Sequence, residues 1–543
     1  MLSYPQNSCI TKDIDVCNKA ILNAILCSTM AKSNQVIFKP YSPHQGMLLP
    51  PSLEELISPH HPVRVVNEVI ESISLGHLEK SYKGGGTSSY HPKMLLKVLV
   101  YGYVSNVYSS RKLEAATKEN IHFMWLAGMQ QPDHNTINNF RGKRLQTTLK
   151  NIFTQVVELL NAEGVLSIKD IYIDGTKIEA NANRYTFVWG NAIKTNKEKM
   201  QKQLEDLWQY TQKVADAESV DTTAPDFTTP ISKEKVKDTI EKIEKILAPK
   251  SEQVSKKVTQ KLNYAKSKWP DALEKYEAQE KTLDGRGSYS KTDTDATFMR
   301  MKDDHMKNGQ LKAAYNVQIS THKQYIVDYS LHPNPTDTTT LPKHIEQHQT
   351  HYNQYPQTIT ADAGYGSEQN YQYLEDNEVE AFVKYPLFDK QQSNNYSKKN
   401  PFAAERLYYN EAKDFYVCPM GQHMRCTGTY KKQTSTGFEQ SVKKYQAKNC
   451  QGCPMRGVCH SSTYNRTIEV NANLNRHKAI ACQKLNSEEG LEKRKQRCFD
   501  VEPVFGNIKS NHKFNRFMLR GKKKVTVEFG LLAIAQNLRK KAA

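Results

Sequence analysis

Two short apolar runs of strand type each end in an aspartate, IYID at Asp174 and TITAD at Asp362, and what lies between them constrains the fold most. From about Asn191 to Thr282 the chain turns Lys- and Glu-rich with helical periodicity, broken around Thr222 to Pro230. This reads as a long helical insertion, a hairpin whose charge is that of a solvated face. Strand patterns resume behind it at AAYNVQIST (313–321) and YIVDYSL (325–331). Then come a helix-like TLPKHIEQHQTHYNQ, the strand TITAD (358–362), a second helix-like SEQNYQYLEDN and a strand in EAFVKY (380–385).

Three strands in a meander followed by helix-linked strands make an α/β chain with a ribonuclease-H-like mixed sheet covered by helices. Asp174 and Asp362 terminate strands, where an open α/β sheet places its ligand groups. A third carboxylate, Glu502, stands in RCFDVEPVFGNIKSNHK, where Val501, Phe505 and Ile508 form a helical core stripe and Lys509 lies two turns from Glu502 on nearly the same side. Pro503 disfavours helical geometry at Glu502 unless the helix begins there, with Asp500 as its cap. Three converging carboxylates suit two Mg²⁺ (or Mn²⁺) ions about 3.5 to 4 Å apart, which stabilise the attacking and leaving oxygens of a phosphodiester displacement. Lys509 and Arg497 would contact phosphate beside the cut. Each acid taken alone is weak support, since most of the 57 Asp and Glu residues must be solvated.

Lys and Arg number 76, so the formal charge is +19, an imbalance of sign that suits a polyanionic partner, double-stranded DNA first. No apolar run approaches the roughly 20 residues of a membrane-spanning helix. The stretch AILNAILC lacks the basic flank and cleavage site of an export signal. Ten cysteines then read as reduced thiols or metal ligands, and a cytoplasmic, nucleoid-associated location is expected. Residues 1–37 are expected to be a disordered extension, with Met30 a natural start for the main body.

Residues 38–166 carry helical periodicity and are expected to form a DNA-binding domain. Ser109 or Ser110 can cap a helix through RKLEAATKE, and Asp133 another through HNTINNFRGKR, at helix-turn-helix spacing. On the second helix Ile137 and Phe140 would face the core, leaving Asn135, Asn138 and Asn139 outward with Arg141 at the border, side-chain types that read bases or phosphates. An ordinary capped surface helix is the alternative. The catalytic core is assigned to 167–190 and 283–390, the helical insertion to 191–282 and a Cys-rich insertion to 391–486. In that last segment Cys418, Cys450, Cys453 and Cys459 offer four thiolates with a CxxC pair, the spacing of a structural Zn²⁺ site. His423, Cys426 and His460 compete as ligands, and a reduced, metal-free cluster is the alternative. The final segment, 487–543, holds the third acid and a basic patch of Lys513, Arg516 and Arg520 suited to a DNA backbone. Its last stretch, EFGLLAIAQNLRKK, reads as an amphipathic helix on the sheet.

Beyond these separate readings, PHHPVRVVNEVI, YHPKMLLKVLVYGY, SSRKLE, PDHNTINNFR, IYIDGTKIEANANRYTFVW, DATFMRMKDDHMKNGQLKAAYNVQI, ITADAGYGS and VEPVFGNIKSNHKFNRFMLRG resemble the bacterial insertion-sequence DDE transposases with a helical amino-terminal domain. The resemblance spans nearly everything from about 38 to 541. It implies Asp174, Asp362 and Glu502 as the three acids, Lys509 as the basic residue of the last motif, and a homodimer or higher oligomer on paired DNA ends. The family pattern has a tyrosine a few residues before its arginine; here Arg494 stands in the tyrosine place and Arg497 in the arginine one, which puts any base-stacking role of the tyrosine in doubt.

Overall fold

Near-continuous burial along Asp170–Glu179 (β1), Leu311–His322 (β5) and Tyr325–His332 (β6) reflects strands covered on both sides, and these form the middle of the molecule. The computed structural model describes residues 52–82, 89–215, 225–249, 254–301, 309–399 and 401–543. The expectations for residues 1–37 lie outside this set. With Thr358–Ala361 (β7) and Glu380–Val383 (β8), the strands run in the order β6, β5, β1, β7, β8. β6/β5 and β5/β1 are antiparallel, and β1/β7 and β7/β8 are parallel. This mixed α/β arrangement is consistent with the ribonuclease-H-like layout. A further strand, Thr297–Arg300 (β4), pairs with the start of β5. Phe187–Trp189 (β2) pairs with Ser288–Ser290 (β3), tying together the two ends of the helical insertion. The sequence pattern does not reveal these three short strands, because three or four residues carry too little alternation to register.

Among its described residues the insertion forms three helices rather than a hairpin: Gly190–Val214, Lys233–Leu247 and Lys256–Leu283. They bury their own cluster of Leu204, Trp208, Ile240, Ile243, Ala265 and Leu273. The amino-terminal part contributes α1 (Pro62–Ser72), α2 (Pro92–Val104), α3 (Ser110–Glu119), α4 (Ile121–Leu126), α5 (His134–Gly142) and α6 (Leu149–Ala162). Asp133 caps α5 by accepting from the Thr136 N–H at 2.7 Å. Ser109 stands at the cap position of α3 without a side-chain bond. Glu114 on α3 accepts from the His134 backbone at 3.0 Å and pairs with its ring at 2.7 Å, locking α3 against α5. The short α4 lies between them, so the connection is longer than a simple turn.

The C-terminal helix α14 (Lys522–Ala542) departs most from expectation. It is not amphipathic: Val525 and every residue from Val527 to Leu538 are buried, Glu528 and Asn537 among them. α14 lies between β6 on one side and α1, α2, α5 and α6 on the other, so it serves both the sheet and the helical domain. Asn537 completes the docking by accepting from Ile326 N at 2.7 Å and donating to Ile326 O at 2.8 Å.

On the far side of β6, helix α10 (Leu341–Tyr352) presents His344 and His348 to the core. The hydroxyls of Ser320 and Ser330 bracket the His344 ring at 2.6 and 2.7 Å. Burial pushes His332 down to about 3 and both His344 and His348 down to about 4, from the ordinary 6.5. Burial alone would raise the neighbouring Asp328, but Lys150 and His351 outweigh it and hold the carboxyl below its ordinary range. Below pH 6.5 the unfolded chain takes up protons that the folded histidines refuse, so stability is complete above that value and is lost as pH falls toward 4. Both ring nitrogens of His348 are buried, with the Ile168 backbone beside the ring. Thermal melts across this range are expected to show His348→Leu flattening the acid limb relative to wild type; an unchanged limb would remove His348 from the account.

Candidate active site and nucleic-acid interface

Parallel pairing of β1 with β7 sets Ile173 opposite Ala361, so the next residues, Asp174 and Asp362, emerge at the same level of neighbouring strands. Adjacent strands are about 4.8 Å apart, so the two residues leave the sheet as neighbours. Asp362 follows β7 directly and opens a single turn, Ala363–Tyr365, with no side-chain cap bond of its own. Asp174 is largely buried, and Arg497 Nη1 stands 3.5 Å from its Oδ2.

Arg497 comes from α13 (Glu488–Gly506), which packs across β1, β5, β7 and β8. Ser487 caps this helix by accepting from Gly490 N at 3.1 Å, so the helix starts well before Glu502. Asp500 is not its cap. That side chain is buried and accepts from Gln324 N at 3.0 Å. Pro503 is tolerated in the last turn because the carbonyl it leaves without an N–H, that of Phe499, accepts from Gln324 Nε2 at 3.0 Å. Beyond Gly506 the chain widens into a π turn, Asn507–Asn511, that carries Lys509. Such wide turns recur at functional sites. Of the expected stripe, Val501 and Ile508 are buried with Val504, and Phe505 is only partly covered.

Glu502 is exposed and lines a groove of about 670 Å³ with Gly175, Lys177, Lys312, Lys509 and Lys513. It thus opens onto the backbone one residue past Asp174. Among the described residues, no group of three or more His, Cys, Asp or Glu side chains is gathered into a metal-holding arrangement.

A buttress that the sequence reading missed lies behind the acids. Asp337, in the loop after β6, accepts from Asn316 Nδ2 at 2.8 Å and Gln318 Nε2 at 2.9 Å. Gln318 Oε1 accepts from the hydroxyl of Tyr365, three residues past Asp362. Burial raises Tyr365 well above its ordinary value, and the charges of Asp337, Asp174 and Asp362 add to this. Gly175 is required here, since a Cβ would fall 2.8 Å from Asp337 Oδ1 and against the Gln318 amide. No linear pattern signals Asp337, because its partners sit on a strand that precedes it.

Several basic residues assigned to DNA have other engagements. Arg141 is 3% exposed, not at the border of an outward face; it donates to Tyr108 O at 2.7 Å and Tyr103 Oη at 3.3 Å and feels the Glu528 charge. Helical phase alone put it near the surface, whereas Tyr103 and Tyr108 draw it inward, with Glu528 of α14 nearby. Arg516 pairs with Glu179 at 4.0 Å and donates to the carbonyls of Ala180 and Ala182, where Glu179 forms a strand-like bridge with it. Arg520 donates to Asn181 O at 2.8 Å. These two hold the C-terminal segment against β1. Arg494 stacks over Phe388 at 5.3 Å. Asn135, Asn138 and Asn139 face outward while Ile137 and Phe140 are buried, and Lys513 is exposed on the groove rim.

With this geometry in view, the family described as Transposase DDE domain matches residues 417–542, and the family described as Transposase domain (DUF772) matches residues 51–143. The two matches, one near each end, are both to transposase families and support the resemblance to insertion-sequence DDE transposases. Glu502, Arg497, Lys509 and the four cysteines lie within the first matched segment, whereas Asp174 and Asp362 lie outside both. No curated protein and no solved structure matches the chain. No helix among the described residues is long and apolar enough to cross a membrane.

Two substitutions separate structure from surface. Arg141→Met is expected to lower unfolding free energy by about 1.5–3 kcal/mol, the scale of hydrogen bonds to a charged group. Asn138→Ala is expected to stay within about 0.5 kcal/mol of wild type while weakening DNA binding. Chemical denaturation and gel shift read the two effects, and equal stability losses would contradict the assignment. Gly175→Ala is expected to cost about 1–3 kcal/mol through overpacking, read by the same denaturation curves; a neutral result would mean that Asp337 and Gln318 give way freely.

Proposed function

We propose that this transposase cuts DNA at terminal inverted repeats and joins the freed 3′ end to target DNA, with Asp174, Asp362 and Glu502 as its three acids. The observation that carries the reading is the matched register of Asp174 and Asp362, faced by one helix that brings Arg497 to Asp174 and Glu502 to the adjoining groove. Carboxylate oxygens from three separate elements are the donor set that hard divalent ions prefer. Two Mg²⁺ or Mn²⁺ ions, when bound, supply positive charge to the attacking and leaving oxygens.

The residues of the chain itself have distinct tasks. Asp174 and Asp362 hold negative charge at fixed positions because both leave the sheet at one level. Arg497 keeps a guanidinium beside Asp174, poised for a phosphate oxygen when DNA enters. Lys509 and Lys513 line the same groove and can grip the backbone on either side of the cut. A water molecule in the first step and a 3′-hydroxyl in the second are the nucleophiles, so no covalent protein intermediate is needed. The outward face of α5, with Asn138, supports recognition of the terminal repeats. Assembly as a homodimer or larger on two DNA ends and residence at the nucleoid follow from the same reading. Zinc stands outside this chemistry, since four thiolates fill a tetrahedral shell and leave no open position.

The test is strand transfer by purified protein on a fragment bearing the element's own ends, with Mg²⁺ or Mn²⁺. Joined products are expected from wild type, and Asp174→Ala, Asp362→Ala and Glu502→Ala are each expected to lower the rate by at least about 10²-fold, on the scale of losing a principal source of electrostatic stabilisation. Cleavage without joining would replace the proposal with a two-metal nuclease. DNA binding with neither product would leave a non-catalytic descendant of a transposase.

A further inference from the structure

The Cys-rich segment builds a five-stranded antiparallel sheet from Tyr409–Asn410, Phe415–Val417, His423–Gln433, Glu439–Gln446 and Thr467–Val470. Its cysteines gather at one end. Cys418 closes a tight turn in which its N–H donates to Gln422 O at 2.9 Å and its Sγ accepts from Gln422 N at 3.3 Å. Gly421, at φ +79°, makes that turn possible. From the second cysteine group, Cys450 Sγ accepts from Arg466 N at 3.3 Å and Cys459 Sγ accepts from Arg466 Nη1 at 2.7 Å. Cys418, Cys450, Cys453, Cys459, His460 and Arg466 all line one cavity of about 20 Å³, room for roughly one water-sized occupant.

Charge decides what that occupant is. Arg466 is 6% exposed, and its guanidinium donates to the Cys459 sulfur and the Phe402 carbonyl, with no carboxylate ion pair among the described residues. A buried cation with only neutral partners is costly, and a neutral thiol is a weak acceptor. Two backbone N–H groups and a guanidinium directed at sulfur are instead what thiolates reward. Arg456 lines the same cavity and brings a second positive charge. His460 Nδ1 is buried there with no partner among the described residues, and in the tautomer that protonates it a thiolate is the fitting acceptor. Four clustered thiolates need a cation of their own. The side chains surround the cavity without being gathered into a metal-holding group as they stand.

We infer that Cys418, Cys450, Cys453 and Cys459 bind one Zn²⁺ as a tetrathiolate, and that Arg466, by donating to Cys459 and neutralising the cluster, is the positioning residue that selects this metal-holding state. The inference does not depend on the DDE chemistry. The site is structural, and it matters to the core through Glu368. This side chain is buried at the start of the helix Glu368–Asp376, accepting from Gln440 of the Cys-rich sheet at 2.8 Å and from Asn471 at 2.6 Å. The metal-stapled sheet therefore rests on the helix that follows Asp362.

Full-length protein tests the inference without any activity assay. Metal analysis after exhaustive dialysis is expected to give one Zn²⁺ per chain. Exchange for Co²⁺ is expected to give the intense sulfur-to-cobalt charge-transfer and visible bands of a tetrahedral tetrathiolate. Arg466→Met is expected to weaken Zn²⁺ binding by about 10- to 100-fold in competition with a chromophoric chelator, the usual cost of losing an outer partner of a metal site. Cys450→Ser is expected to abolish stoichiometric zinc, and Cys482→Ser, outside the cavity, to leave it intact. Because Cys450→Ser could fail to fold, the wild-type cobalt spectrum is decisive. Wild-type protein that carries no stoichiometric zinc and shows no thiolate–cobalt band would overturn the site, and unchanged affinity in Arg466→Met would overturn the role of the arginine.

Discussion

The burial of α14 is the constraint on which the rest of the structure depends. A helix covered on every side can exist only where two partners meet over it, here the edge of the sheet at β6 and the amino-terminal helices. Its polar residues show how the fit is made. Glu528 accepts from Met518 N at 3.0 Å and Leu519 N at 2.9 Å, anchoring the turn that precedes the helix, and Arg141 supplies a nearby positive charge. Burial still pushes the Glu528 carboxyl above its ordinary value. Asn537 takes up both backbone groups of Ile326. This helix thus joins the amino-terminal helices to the sheet in one packed core.

The same logic of distant partners builds the candidate active site. Asp174 and Arg497 are 323 positions apart and meet at 3.5 Å because α13 crosses the sheet over β1. Lys493, one turn earlier, reaches Asp170 at 3.5 Å and Thr358 Oγ1 at 3.2 Å, fixing the helix to both strands that carry aspartates. Gln324, in the β5–β6 turn, satisfies Asp500 and the carbonyl freed by Pro503. A proline one residue after Glu502 is therefore part of how the helix ends and the π turn bearing Lys509 begins. The acids are held from three directions, and the Asp337, Gln318 and Tyr365 network braces the segment after Asp362 from behind.

Much was legible from the chain alone. Apolar runs of strand type identified β1, β5, β6, β7 and β8, and their order implied a mixed sheet with Asp174 and Asp362 at strand ends. Burial on both faces makes such runs dense in Val, Ile and Tyr, which is a local signal. Asp133 as a cap and the inward placement of Ile137 and Phe140 also follow from local rules, since a cap and a helical face involve residues only a few positions apart. The grouping of cysteines was visible as spacing, although nothing in the spacing points to Arg466 as the charge beside them.

What only the tertiary structure decided is which charged residues are free to act. Arg141, Arg516 and Arg520 look alike in sequence to Lys513, yet the first is enclosed against Tyr103 and Tyr108, the next two hold backbone carbonyls around β1 while remaining exposed, and Lys513 stands at the groove. The sequence carries their charge, but whether a cation meets solvent, a carbonyl or a carboxylate depends on elements hundreds of residues away. Likewise, the hydrophobic content of EFGLLAIAQNLRKK determined that a helix would form and be buried. It could not determine on how many sides, because that is a property of its neighbours, set when the helical domain and the sheet close over it.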